Sequence, residues 1–208
     1  MKHSKLFQFV GMAMLTALVV VLQVLGGSIS VGSFSITLVL IPVVIGAALF
    51  GPGSGAFLGT LFGVITYINC ANGTDMGGSM VFAANPYLCA LVCIGKGAGA
   101  GFLSGLMYRG VKKLIDRYSL FRGENNMQEY FSVFVSAIIA PVANTGLFCA
   151  GMLLFFVDTL NSWAAGTPTF HYIIFGLTGV NFLIELGVNL ICAPAIVTIL
   201  NAVRRNMK

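Results

Sequence analysis

Two charged residues stand where charge is expensive. Lys96 and Glu185 each lie roughly ten to thirteen residues inside an otherwise apolar run, where an ionised side chain usually faces a cavity or a partner. Around Glu185 the polar residues keep helical register. Thr178, Asn181, Glu185 and Asn189 follow at steps of three, four and four, which puts them on one helix face. A further pair, Asn144 and Thr145, sits in the middle of another apolar run. These side chains suit recognition of a small polar molecule. An ammonium pairs with a carboxylate as a point charge. Asparagines both give and accept hydrogen bonds, and an ionised Glu185 accepts from hydroxyl or N–H groups. Two structural readings compete: a direct Lys96–Glu185 pair, and polar glue between helices. Interhelical hydrogen bonds in lipid average below about 1–2 kcal/mol, a weak reason to keep so many polar groups dry. A ligand with one negative group and several hydrogen-bonding groups accounts for the whole collection.

Signatures of hydrolytic and nucleotide chemistry are missing. Gly95-Lys96 fails the P-loop pattern, because position 90 is alanine and Lys96 is followed by glycine. No His-Glu-x-x-His and no Gly-x-Ser-x-Gly occurs. His3 and His171 fall at the edges of the apolar runs, so neither a metal site nor a cofactor is expected. The five cysteines are odd in number and lack a Cys-x-x-Cys. They read as small apolar residues, with Cys70 and Cys89 near enough in the expected topology to bond.

The elements that must hold these groups are membrane helices. The chain has 208 residues, 58% hydrophobic and 8% charged, and a mean hydropathy of +0.96. A soluble domain carries about three times that charge. The expectation is an all-α integral membrane protein, one bundle of six transmembrane helices over residues 1–208. The spans are expected at Leu6–Leu25, Ile36–Phe50, Ala56–Asn69, Pro86–Tyr108, Tyr130–Phe156 and Tyr172–Val203. The second and third are short for about 30 Å of hydrocarbon. Gly51-Pro52-Gly53-Ser54-Gly55 between them predicts a tight turn. Pro141 and Pro194 predict kinks. Outer loops are expected at Gly26–Ser35, at Cys70–Asn85 with Asp75, and at Val157–His171 with Trp163.

Topology follows from the cations. Of eleven lysines and arginines, ten lie at the N-terminal tip, in the loop at about 109–129 and at the C-terminal tip; only Lys96 stands apart. Lys and Arg collect in cytoplasmic loops, so both termini and the central loop are expected inside, and the number of spans is even. The same bias explains the basic pI near 9.1 without nucleic acid. The apolar run after MKHSKLFQF is long enough to span and lacks a cleavage pattern, so it reads as retained. Two small-residue ridges stand at helical spacing: Ala13 with Ala17, and Gly97, Gly101 and Gly105. Such ridges let helices approach closely. Packing within the bundle is one reading, and docking of a second protein on Ala13 and Ala17 is the other.

Several segments together resemble the substrate-binding S-components of energy-coupling factor (ECF) vitamin transporters. They are GMAMLTALVVVLQ with Ala13 and Ala17, ITLVLIPVVIGAALFGPGSGAFLGTLFGV, KGAGAGFLSGLMYRGVKK, ANTGLFCAGMLLFF and NFLIELGVNLICAPAIV. The resemblance covers nearly the whole chain. It implies a prokaryotic cell-membrane protein that binds one vitamin in an outward-opening cavity, with lids after helix one and around helix five. It also implies an alanine ridge that contacts a transmembrane coupling protein joined to two cytoplasmic ATPases. Asn144-Thr145 and Asn181-x-x-x-Glu185 are most similar to the pantothenate-type branch. There an arginine often stands where this chain has Lys96, which keeps the charge and loses the bidentate fork. Pantothenate, with one carboxylate, two hydroxyls and an amide, fits one cation and several amides. Riboflavin needs a larger aromatic slot, and folate carries two carboxylates for one buried cation. Lys96, Asn144, Asn181, Glu185 and Asn189 are therefore the expected substrate contacts. The main rival class is a non-transport membrane scaffold of envelope assembly, which needs no convergent polar groups. An intramembrane enzyme or a secondary transporter acting alone fits less well.

Overall fold

A computed structural model describes residues 2–26, 30–31, 34–35, 38–119, 125–164, 166, 168, 171–173 and 178–206. Apolar runs fold into helices because lipid leaves backbone groups only one another as partners. The helices are α1 (Lys2–Gly26), α2 (Leu40–Phe50), α3 (Pro52–Ala71), α4 (Met76–Ala84), α5 (Pro86–Tyr118), α6 (Asn125–Phe155), α7 (Val157–Ala164) and α8 (Gly179–Asn206). A two-residue antiparallel ladder, β1 (Ser30–Val31) with β2 (Phe34–Ser35), lies within the expected first outer loop.

Five of these helices are long and apolar enough to cross a membrane: α1, α3, α5, α6 and α8. The second expected span is shorter than the sequence suggests. Its eleven helical residues rise only about 16 Å. Its residues Pro42–Ala48 are all buried, so α2 is a core helix wrapped by its neighbours. Three expected loops also contain helix. Asp75 precedes α4, Trp163 lies in α7, and α5 carries Arg109, Lys112, Lys113 and Arg117 on its last turns. A helix leaving the membrane can continue in water, where charge is no obstacle. Arg122 and Lys208 lie outside the described residues. Pro141 and Pro194 sit inside α6 and α8, and both helices continue through them.

The α2–α3 turn depends on Gly51, whose φ of 104° is poorly tolerated by other residues. A Cβ there would also lie 1.9 Å from Nη2 of Arg109. That contact places the turn at the basic end of α5. Pro52 follows at the first helical position, where its missing N–H is harmless.

The glycine ridge on α5 packs inside the bundle. Gly97, Gly101 and Gly105 meet α3 and its first turn, where Gly55, Gly59 and Gly63 supply the matching ridge. A Cβ on Gly59 would lie 2.0 Å from the Gly97 carbonyl oxygen, and one on Gly101 would lie 2.0 Å from that of Gly55. The backbones touch because neither ridge carries side chains.

Apolar side chains form three clusters: Val19, Val39, Val43, Leu58 and Phe62 pack around α1–α3, and two others lie at different heights along α5, α6 and α8. One lies toward the basic end, with Ala100 and Tyr108 of α5, Val133, Ala137 and Ala140 of α6, and Ala193, Ile196 and Leu200 of α8. The other lies toward the opposite end, with Cys89 and Val92 of α5, Met152 and Phe156 around the end of α6, and Leu160 of α7. Between them α5, α6 and α8 each contribute polar residues: Lys96, Asn144, Glu185 and Asn189.

At the basic end, buried Glu129 of α6 accepts hydrogen bonds from the Tyr108 hydroxyl and, at 2.9 Å, from Lys112 Nζ of α5. Lys112 is partly exposed, so the ion pair itself contributes little, and the tyrosine bond dominates. Glu129→Ala leaves the hydroxyl without this acceptor. It should lower the unfolding midpoint in detergent by about 5 °C, for a loss near 2 kcal/mol. Thermal unfolding followed by circular dichroism measures it; an unchanged midpoint would rule out this latch.

Candidate functional site

The polar layer is built one residue per turn. On α6, Asn144 and Phe148 are one turn apart and face α5 and α8. Asn144 Nδ2 donates to Glu185 Oε2 across 3.3 Å. Asn189, fully buried, donates from Nδ2 to the backbone oxygen of Glu185 at 2.8 Å. Thr178, just before α8, donates to the Ile173 carbonyl and receives the Cys149 thiol at 3.9 Å. Asn181 is half-buried, and it and Glu185 have further partners. The Oδ1 atoms of Asn144 and Asn189 are buried without a hydrogen-bond partner among the described residues. A buried acceptor left empty costs about 1–3 kcal/mol.

Lys96 does not ion-pair with Glu185 among the described contacts. Its ammonium lies 4.9 Å from the Phe148 ring centre and 5.9 Å from that of Phe62. Aromatic faces attract a cation and leave its hydrogen-bonding positions open. Phe148 lies about one turn from Asn144, about 6 Å along α6. The structure therefore brings Lys96, Asn144, Glu185 and Asn189 into one layer, with Asn181 a turn from Glu185 along α8.

Three polar residues join that layer unannounced by the sequence. Gln23 of α1 donates to Thr66 of α3 at 3.2 Å, both buried. Gln23 is a lone polar residue in an apolar run, and Thr66 sits among Thr60, Tyr67 and Asn69 without a regular helical repeat. The third is Asp75, 8% exposed, which shares a cavity with Thr66 and Lys96. Burial pushes its carboxyl above the ordinary carboxylate range, and the Lys96 charge pulls it back in part. The cavity measures about 20 Å³, room for about one water. Ligand pockets usually start near 300 Å³, so this cavity by itself does not hold a vitamin. A larger groove of about 510 Å³ runs between α6 and α8, but Val180 and Leu183 on its lining are exposed and apolar, as lipid-facing residues are.

Cys70 and Cys89 do come together, as free thiols, and Cys93 joins them. On α1, Ala13 and Ala17 are exposed alongside Met14 and Leu18, so this ridge is left uncovered by the bundle.

Comparison with known proteins places these observations in context. Residues 7–197 match the family described as the ECF transporter substrate-specific component. The pantothenic acid transporter PanT of Lactococcus lactis subsp. cremoris (strain MG1363) is 27% identical over 212 aligned positions. The alignment covers 99% of this chain and all of the relative.

Proposed function

Because the chain belongs to the family of ECF transporter substrate-specific components, multi-pass proteins of the cell membrane and not an enzyme family, we propose that it captures pantothenate and delivers it to an ATP-driven partner. The observation that carries this reading is the polar layer that α5, α6 and α8 hold between their two apolar clusters. Its groups are complementary to the vitamin. Lys96 takes the carboxylate, with its ammonium held between two rings. The open Oδ1 acceptors of Asn144 and Asn189 take the hydroxyls or the amide N–H. Glu185 accepts a further hydroxyl, and Asn181 borders the site. The name of the Lactococcus relative supports the same cargo.

The remaining assignments follow from this role. The basic ends of the bundle face the cytoplasm, both termini included, and α2 is the sixth, short crossing. The exposed Ala13 and Ala17 dock the transmembrane coupling protein, which joins the two ATPases. The family resemblance assigns the lids to the segment after α1, of which residues 27–29, 32–33 and 36–37 lie outside the described residues, and to the region of α7 with Trp163.

Trp163 packs against the core beside the cavity, so its emission should report occupancy. Pantothenate titrated into the purified protein should change that emission saturably at submicromolar concentration. A response to riboflavin or folate alone would overturn the cargo. No response to any vitamin, with no ATPase co-purifying, would favour the scaffold reading.

A further inference from the structure

At the end of the bundle away from the basic tips, three thiols from two helices meet. Cys70 stands in the last turn of α3, and Cys89 and Cys93 stand one turn apart on α5. Close backbone contact brings them there: a Cβ on Gly63 of α3 would lie 2.4 Å from the Cys93 carbonyl oxygen. The three sulfurs lie within 4.8 Å of one another. Every one of these side chains is at most 5% exposed.

One buried cysteine is adequately explained as a small apolar side chain. Three sulfurs around a gap that also holds a carboxylate require more. Asp75 lines the same cavity as Cys70, Cys89 and Cys93, and its buried Oδ1 has no hydrogen-bond partner among the described residues. Gly78 of α4 leaves space for both groups, since a Cβ there would lie 2.3 Å from Cys70 Sγ and 2.9 Å from Asp75 Oδ2. The proposed vitamin contacts include none of these four side chains, although Asp75 borders Lys96 in the same cavity.

We propose that this cavity binds a thiophilic divalent cation of the zinc or cadmium class, held by the sulfurs of Cys70, Cys89 and Cys93, with the Asp75 carboxylate moving in from the cavity wall as the fourth ligand. Four-coordinate zinc holds sulfur at about 2.3 Å, which sets its sulfurs about 3.8 Å apart. The present sulfur spacing, within 4.8 Å, must shrink by at most about 1 Å to reach that value. The cavity, about 20 Å³, holds one ion and no cluster. Thiolate donors exclude calcium and magnesium, which require oxygen. Charge selects the valence. Three thiolates and a carboxylate carry four negative charges. A divalent ion removes two and Lys96, on the same cavity wall, offsets a third; a monovalent ion leaves one more buried charge. Binding releases the three thiol protons.

A filled site ties the end of α3 to α5 and to the start of α4. It also leaves negative charge beside Lys96, so the cation should weaken pantothenate binding. That consequence rests on the vitamin reading of Lys96; cation binding itself does not.

The test uses the full chain in detergent, purified under reducing conditions and stripped with a chelator. Cadmium is the probe, read by its ultraviolet thiolate charge-transfer band and by elemental analysis. One cadmium per chain is expected, with the band saturating at one equivalent and zinc competing. Cys93→Ala, a small apolar exchange, should weaken binding at least about 100-fold. Asp75→Asn should keep the band at roughly tenfold lower affinity, and Cys192→Ser should change nothing. The proposal is overturned if the wild type shows no band, or if Cys93→Ala and Cys70→Ala both keep it at unchanged affinity. Mass spectrometry of alkylated protein isolated without reductant that finds Cys70 in a disulfide would also overturn it. Failure of vitamin binding would leave these readouts untouched.

Discussion

Lys96→Ala should lower pantothenate affinity by about 100-fold while leaving the bundle folded. Removing one partner of a desolvated charge pair costs about 2–5 kcal/mol, and about 3 kcal/mol corresponds to two orders of magnitude. The loss to the empty protein is smaller. There Lys96 is held by the rings of Phe148 and Phe62, a contact near 0.5–2 kcal/mol. Two comparisons isolate the carboxylate contact. Lys96→Arg keeps the charge and should stay within about tenfold of wild type. The alcohol analogue of the vitamin, with CH2OH in place of the carboxylate, should bind the wild type weakly. It should bind Lys96→Ala about as well as pantothenate does. Isothermal titration of the purified proteins measures all of these. A Lys96→Ala protein that binds pantothenate like wild type would remove Lys96 from the site.

The hydrogen-bonding wall should respond differently from the cation. Asn144 both donates to Glu185 and presents an open Oδ1. Its role therefore splits between holding Glu185 in place and meeting the ligand. Among the described residues, Lys96 makes no hydrogen bond that positions a neighbour in the layer; it touches two ring faces and acts on Asp75 only through its charge. That difference makes the lysine the cleaner probe of the vitamin reading.

Residues that repeat were legible in the sequence, and residues that stand alone were not. Thr178, Asn181, Glu185 and Asn189 were visible because their spacing matches a helix turn against an apolar background. Gln23 was invisible, since one polar residue in an apolar run has no phase, and Thr66 because Thr60, Tyr67 and Asn69 around it keep no regular helical repeat. Asp75 does lie in the loop expected for it, between α3 and α4, but its burial beside Lys96 follows from packing that a loop sequence does not show. The glycine ridge on α5 could be seen, but its partner could not. Gly55, Gly59 and Gly63 merge with the glycines of the adjoining turn, and only the fold shows them facing Gly97 and Gly101. The cysteines read as apolar for the same reason: Cys89 and Cys93 share a face of α5, but Cys70 arrives from another helix.

That paired ridge carries the other large expected effect. Gly59→Leu should abolish folding, and Gly59→Ala should severely reduce the yield of monodisperse protein. The first added carbon already lies 2.0 Å from the Gly97 oxygen, well inside contact distance. The neighbour is backbone, so no rotamer change relieves the clash. The helices must separate, and separation forfeits close packing along the whole α3–α5 seam, a loss of at least about 3–5 kcal/mol. It also shifts Lys96, one residue from Gly97, away from Phe62 on α3. Gly95 supplies the control on the same helix. A Cβ there meets nothing within 4 Å, and the residue is exposed. Gly95→Ala should therefore fold normally and bind vitamin as wild type does. Size-exclusion profiles and thermal unfolding separate the two sites directly. Equal behaviour of Gly59→Ala and Gly95→Ala would mean that the seam is not where α3 and α5 hold each other.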